Sequence, residues 1–294
     1  MTRTQAEGIV LRNYGGFYYV QNGESGIHEC RLRGKIRDRV LTGDRVRVTL
    51  LEAGKGVVEE ILPRRSELRR PPVANVDMVL IVMSFDKPTP DLALLDRLLV
   101  LADYQEITPC IVLNKSDIAP TTRAECIMDY YPRVGYRLVN TSAKKREGIE
   151  ELARVLTGRV AVLAGPSGAG KSSLLNALLP DLSLATREVS RKIGRGRHTT
   201  RHVELFYLDS GGWIADTPGF SILDLPPMKR QELARHFIEF EEPARWCRFN
   251  DCLHDQEREC GVKEAVDRGE IATFRYHHYL SFLVEVKENE RCYN

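Results

Sequence analysis

The chain has 294 residues, with 43 Lys and Arg against 41 Asp and Glu and a formal net charge of +2. That balance excludes a polycationic nucleic-acid binder, so any such contact must rest on local patches. No apolar run is long enough to span a bilayer, and the opening MTRTQAEGIVLRNYGG lacks the apolar stretch of a secretory signal, so a cytoplasmic protein is expected.

Up to about Leu62 the sequence is strand-like. The runs GIVLR, GFYYVQ, HECRLR, RVRVTLLE and GVVEEIL are short, β-rich and separated by Gly, Asn and Asp. Short strands at this density predict a small barrel, with the oligonucleotide-binding (OB) type as first candidate. Arg31, Arg33, Lys35, Arg37 and Arg39 fall at alternate positions. In an extended chain they project from one face and can track a phosphate backbone. A solvated strand face, muted by Glu29 and Asp38, is the other reading of the same pattern. The stretch PRRSELRRPPVANV follows, and its three prolines predict an irregular linker over 63–76.

Strands and helices then alternate. DMVLIVMS is a nearly continuous apolar run, as in a strand buried on both faces of a parallel sheet. A helical stripe of leucines covers 90–104, and CIVL is a second buried strand. A helix is expected over 123–131, a strand over 136–139 and a helix over 147–156. The alternation predicts a three-layer α/β domain with a mostly parallel sheet, whose ligands bind at the carboxyl ends of the strands.

Three polar segments sit at such ends. Asn114-Lys115-Ser116-Asp117 resembles the guanine-reading NKxD motif of GTPases. A carboxylate at Asp117 can accept both the ring N1–H and the exocyclic amine of guanine, donors that adenine does not offer in that arrangement. Asn114 is placed to tie neighbouring loops, and the stem of Lys115 can lie along the base or loop. Ser142-Ala143 looks like the companion loop whose backbone N–H meets guanine O6. Next, the strand VAVL leads into Gly165-Pro166-Ser167-Gly168-Ala169-Gly170-Lys171-Ser172, which matches the phosphate-loop pattern at every fixed position, with Ser173 following. Glycines let backbone N–H groups crowd around phosphate oxygens, and the following helix aims its N-terminus at the anion. Lys171 supplies a mobile charge for the outer phosphates, and the Ser172 hydroxyl can hold Mg²⁺.

Downstream, the segment SRKIGRGRHTTRH is basic and has no hydrophobic period. Thr199 or Thr200 resembles the switch threonine that joins Mg²⁺ to the γ-phosphate. Asp216-Thr217-Pro218-Gly219 resembles the DxxG element, with Asp216 reaching Mg²⁺ through water and the Gly219 N–H sensing the γ-phosphate. Phe220 stands where many GTPases carry a glutamine, and an apolar ring cannot orient water. His198 is the candidate for positioning or deprotonating the attacking water, an RNA contact being its other reading. The order of the elements is unusual. NKxD and its companion loop precede the phosphate loop, so the domain is circularly permuted.

Near the C-terminus, Cys247, Cys252, His254 and Cys260 form C-x4-C-x-H-x5-C. Three thiolates and an imidazole make a tetrahedral Zn²⁺ set with no open position, which points to a structural metal; ordinary core cysteines beside a surface histidine are the alternative. Helices are expected over 229–240, 261–268 and 271–287.

The combination NKSD, TSA, GPSGAGKSS, GRGRHTT and DTPGF in this order, between a leading barrel and a trailing Cys/His knuckle, resembles the ribosome-small-subunit-dependent GTPase A family over essentially the whole chain. The resemblance implies a bacterial cytoplasmic GTPase, slow alone and stimulated by the small ribosomal subunit late in its maturation, with barrel and zinc segment gripping rRNA. The expected architecture is multidomain α/β: an OB-type barrel over 1–65, a permuted P-loop GTPase domain over 66–228 and a mainly helical zinc-binding domain over 229–294. The expected catalytic groups are His198, Lys171 and Thr200, with Mg²⁺ on Ser172, Thr200 and Asp216. Expected partners are GTP or GDP and the small subunit with its rRNA, without membrane or DNA, for a monomeric protein.

Overall fold

The structure, a computed structural model, describes residues 4–23, 26–69, 71–179, 203–216 and 224–292. The first strands are β1 (Thr4–Tyr14), β2 (Phe17–Asn22), β3 (Gly26–Leu32), β4 (Arg45–Leu50) and β5 (Lys55–Ile61). They close into a barrel in the order β1-β2-β3-β5-β4, with β3 and β5 parallel and β4 returning to pair with β1. This is the OB arrangement. Val10, Val20, Cys30, Val46, Val48 and Val58 fill its interior, because alternate residues of each strand point inward. The cation series does not lie along one strand. β3 ends at Leu32 and the chain turns at Gly34 and Lys35, so Arg31 alone is in a strand while Arg33, Lys35, Arg37 and Arg39 ride on an exposed loop.

The expected irregular linker holds a short hairpin, β6 (Glu67–Arg69) and β7 (Pro72–Ala74). Pro72 opens its strand, a position where a missing N–H costs little. Arg64 donates to both carboxylate oxygens of the buried Asp44, at 2.7 and 2.9 Å, and so fastens the linker to the barrel.

The central sheet runs β10 (Arg137–Thr141), β9 (Thr108–Asn114), β8 (Met78–Ser84), β11 (Val160–Ala164), β13 (Trp213–Asp216) and β12 (Glu204–Tyr207). All its pairings are parallel except β12 with β13. The pleat sorts β8 between two cores. Val79, Ile81 and Met83 face α1 (Leu92–Tyr104) and α2 (Thr122–Arg133), while Met78, Leu80 and Val82 face α3 (Ile149–Leu156) and α4 (Lys171–Leu178).

The C-terminal part departs from its expected first helix. Residues 229–240 hold two separate 3-10 turns, Leu233–His236 and Ile238–Phe240, with Phe237 extended between them. The break lets Phe237 and Phe240 both enter one core against Tyr279 and Phe282 while Glu239 reaches Arg275. Helices α5 (Gly261–Asp267) and α6 (Thr273–Cys292) complete it.

Arg275 of α6 joins this part to the α/β domain. It is fully buried and bonds Asp96 of α1 at 2.6 Å and Glu239 at 2.5 and 2.9 Å. Tyr131 and His278 also bond Asp96, each at 2.5 Å. Burial opposes the guanidinium charge, but the two carboxylates outweigh it. Arg275→Met strands both acids and is expected to cost about 3–5 kcal/mol, read by chemical denaturation. A loss no larger than that of an exposed arginine would contradict this account.

Candidate functional site: a phosphate loop laced to a base-reading loop

The carboxyl ends of β10, β9 and β11 lie along one edge of the sheet, with β8 between β9 and β11, which brings three sequence segments near one another. The phosphate loop leaves β11 at Gly165 and enters α4 at Lys171. Two of its glycines are required by close approach. A side chain on Gly165 would lie 2.2 Å from the Val82 carbonyl oxygen, and one on Gly170 would lie 2.2 Å from the Asn114 amide nitrogen. Their φ values, 125° and 100°, also fall in the region that favours glycine. Ser167, Gly168, Ser172 and Ser173 are exposed at the mouth, whereas Ala169 is buried. Lys171 Nζ donates to the carbonyls of Gly165 and Pro166, both at 2.8 Å. Burial pulls this ammonium below the ordinary lysine value, and an arriving polyanion would reverse that.

Asn114 is the knot of the site. Its amide donates to the Ala169 carbonyl at 3.0 Å, across the sheet from β9 to the phosphate loop. Its carbonyl oxygen accepts from the Thr141 hydroxyl and from the Ala143 backbone N–H, each at 3.2 Å. One buried side chain therefore spans all three segments. Lys115 adds a second tie, donating to the Gly168 carbonyl at 2.7 Å and to the Lys87 carbonyl. Ser116 N–H donates to the Thr141 carbonyl at 3.0 Å. Asp117 accepts from the Ser142 hydroxyl at 2.7 Å, a bond that holds its carboxyl below the ordinary aspartate value. The remaining lone pairs of Asp117 are open to a ligand's N–H groups.

Sequence reasoning had not placed Lys87 or Pro88 here. Pro88 lies 3.5 Å from where a side chain on Gly168 would be, so the loop after β8 flanks the phosphate loop. Its signal was present as Lys87-Pro88-Thr89-Pro90 directly beyond a buried strand. Asp216 ends β13, next to β11. His198, Thr199, Thr200, Gly219 and Phe220 lie outside the described residues.

The Cys/His pattern gathers in space. One ligand atom from each of Cys247, Cys252, His254 and Cys260 lies within 4.8 Å of the others, a cluster that could hold a metal ion. His254 turns Nδ1 toward the thiols, at 3.5 Å from Cys247 and 3.4 Å from Cys260. Burial keeps its imidazole below the usual histidine value and raises the Cys252 thiol to about 12. A cation would invert the second effect, because it favours thiolate. Tyr276 and Tyr279 of α6 donate to the carbonyls of His254 and Leu253, at 2.7 and 2.6 Å, and clamp the knuckle backbone. A cavity of about 990 Å³ lies beside this knuckle, near Pro109, Tyr136 and Phe249, and holds none of the nucleotide-motif residues.

Two family patterns match the chain: the RsgA N-terminal domain over residues 7–58 and the RsgA GTPase over residues 61–226. Among curated proteins, the small ribosomal subunit biogenesis GTPase RsgA of Moorella thermoacetica is 51% identical over 98% of this chain and 100% of its own length. Its counterpart of the same name from Geobacillus thermodenitrificans is 46% identical over 98% of this chain and 100% of its own. Among solved structures, YjeQ from Thermotoga maritima superposes with a TM-score of 0.83 at 39% identity, covering 96% of this chain and 99% of that one. YloQ, described as a circularly permuted GTPase, gives 0.82 at 37% identity over 97% and 96%. With both patterns adjoining along one chain, and with relatives matched end to end, this protein belongs to the RsgA GTPase family.

Proposed function

We propose that the chain binds GTP, hydrolyses it to GDP and phosphate, and acts in maturation of the small ribosomal subunit, as the names of its relatives say of them. The observation that carries the nucleotide half is Asn114, whose side chain bonds the phosphate loop and the Ala143 loop together. A purine triphosphate spanning both loops would meet them in fixed register. Asp117 reads the guanine N1–H and amine, and the Ala143 N–H exchanges Asn114 for guanine O6. Lys171 leaves the loop carbonyls for the outer phosphates, while Ser172, Thr200 and Asp216 would hold Mg²⁺, which when bound would neutralise phosphate charge. Lys171 with the loop amides stabilises the charge that develops on the β,γ-bridge. His198 positions the attacking water.

The division of labour runs along 1–65, 66–228 and 229–294: an RNA-binding barrel carrying Arg31, Arg33, Lys35, Arg37 and Arg39, the GTPase, and a zinc-stabilised module. Zinc suits the knuckle. Zn–S bonds near 2.3 Å and Zn–N bonds near 2.05 Å give tetrahedral edges of about 3.8 Å and about 3.6 Å. Cys247 and Cys260 lie 3.8 Å apart, and His254 lies 3.5 and 3.4 Å from them. No helix among the described residues is long and apolar enough to cross a membrane. The working form in this reading is a cytoplasmic monomer acting on rRNA.

The test is GTP hydrolysis by the pure protein alone, with small subunits, and with large subunits as control. Stimulation by small subunits only is expected, and equal slow rates in all three would overturn the ribosomal half. His198→Ala should keep GTP affinity within about twofold and lower stimulated turnover about a hundredfold, the range of a lost general base. Unchanged stimulated turnover would remove His198 from the chemistry.

A further inference from the structure

Among the described residues, β1 of the barrel packs against β12 of the GTPase sheet, at the root of the elements around the nucleotide. A β-bulge between Val10 and Arg12 interrupts the pairing of β1 with β2. The extra residue breaks the alternation of β1, so consecutive side chains can both be buried. Val10 enters the barrel interior, whereas Leu11 joins the α/β core with Val203, Leu205 and Ala215. Arg12, the next residue, bonds Glu204 at 2.7 Å, and its guanidinium lies over the Tyr19 ring at 4.6 Å. Thr42, on the loop before β4 and 3% exposed, donates its hydroxyl to the Val203 carbonyl at 3.1 Å. Three barrel residues therefore grip the first turn of the pleat of β12.

That strand is the antiparallel partner of β13, with Glu204 opposite Asp216 and Leu205 opposite Ala215. In the chain, Val203 follows directly on GRGRHTTRH, and Asp216 opens DTPG. Both segments thus leave from one short two-strand ladder, and the barrel holds its far side.

We infer that Arg12 and Thr42 are positioning residues of the GTP site: they fix Val203 and Glu204, and through the ladder the backbone of Asp216. The inference rests on the reading of Asp216 and of subunit-stimulated turnover given above. A stability role explains the pair poorly, since Arg12 and Glu204 are 40% and 28% exposed and a partly exposed ion pair adds little to folding. RNA bound to the barrel then acts on hydrolysis through a rigid contact. A shift of a fraction of an ångström at Asp216 suffices, because misplacement of a reacting group by about 1 Å costs up to about a hundredfold in rate.

The experiment uses the full chain as wild type, Arg12→Lys, Arg12→Ala, Thr42→Val and the Arg12→Ala/Thr42→Val double variant. GTP hydrolysis is titrated with small subunits, and amide hydrogen exchange is measured on the free proteins. The double variant should lose about tenfold in turnover at saturating subunits, with the half-saturating subunit concentration changed less than about twofold. Exchange over 203–216 should rise while β2 and β3 stay protected. Arg12→Lys should keep most of the turnover, and the Arg12→Glu/Glu204→Arg swap should recover most of what Arg12→Ala loses. Unchanged turnover at saturation overturns the inference. So does a change confined to the half-saturating concentration, which would make Arg12 an RNA contact. Should the double variant lose the barrel, its β2 and β3 exchange would show it, and the swap decides in its place. If the wild type is not stimulated at all, the ribosomal reading fails, and exchange over 203–216 still decides the clamp: a rise supports it and no rise overturns it.

Discussion

Asp117→Asn is expected to lower GTP affinity by about 10²–10⁴-fold and to raise affinity for xanthosine triphosphate. The carboxylate already accepts from the Ser142 hydroxyl at 2.7 Å, which fixes its plane and keeps it charged. Guanine adds two donors to that charge, each bond worth about 1.5–3 kcal/mol. An asparagine turns one acceptor into an N–H₂ donor that meets the guanine amine donor to donor. Xanthine carries a carbonyl at that position and accepts the new donor instead. Competition of both triphosphates against a fluorescent nucleotide measures the ratio. A GTP-to-xanthosine-triphosphate ratio that does not move would take Asp117 out of base reading. Asn114 must stay intact in this experiment, because its bonds to Ala169, Thr141 and Ala143 hold the site itself together.

Removal of the knuckle metal, by chelator or by Cys260→Ser, should unfold the stretch from Cys247 to Cys260 and leave the α/β domain standing. Structural zinc supplies about 10–16 kcal/mol to isolated zinc-finger peptides. Apart from a metal, the contacts that hold this stretch are few, the Lys287–Asp255 ion pair at 3.0 Å among them. Its residues are mostly part-exposed, and its backbone is tied to α6 by Tyr276 and Tyr279. Phe237, Phe240, Tyr279 and Phe282 form an apolar core with Val262, Ala265, Ile271 and Leu283; the knuckle adds Cys260 to it, and the rest should stay packed when the knuckle unfolds. One equivalent of zinc should be released. Limited trypsin digestion should then cut at Arg248 or Arg258, with basal GTP hydrolysis retained. A chelated protein that keeps its protection would show that the cysteines pack without a metal.

The parts of this molecule that could be read in advance are those whose chemistry needs neighbours in sequence. A phosphate loop requires glycines, a lysine and a hydroxyl at set intervals, flanked by a strand and a helix, and Gly165 to Ser172 carry all of that locally. The alternation of apolar runs and helical stripes likewise identified a parallel sheet, since a strand buried on both faces has to look like Met78–Ser84. The barrel followed from short β-rich runs between turn residues, and its closure in OB order agrees with that expectation.

Where sequence reading erred or was silent, the deciding partner lay far along the chain. The helix expected over 229–240 breaks because Phe237 and Phe240 are drawn into one core and Glu239 toward Arg275. Arg275 looks like a surface residue until Asp96 and Glu239 surround it. The cations from Arg31 to Arg39 read as one side of a strand and loop, and the structure puts the boundary after Leu32, with the chain turning at Gly34. Nothing in the run GIVLR sets Leu11 apart, yet a bulge sends it into the α/β core. The sequence by itself determined the GTPase family and the motifs expected to meet phosphate, guanine and metal, because each demands fixed residue types at short spacings. Only the tertiary structure decided which atoms Asn114 ties together and how Lys115, Arg12 and Arg275 hold the pieces to one another. Their burial and pairing depend on distances between residues that no local pattern encodes.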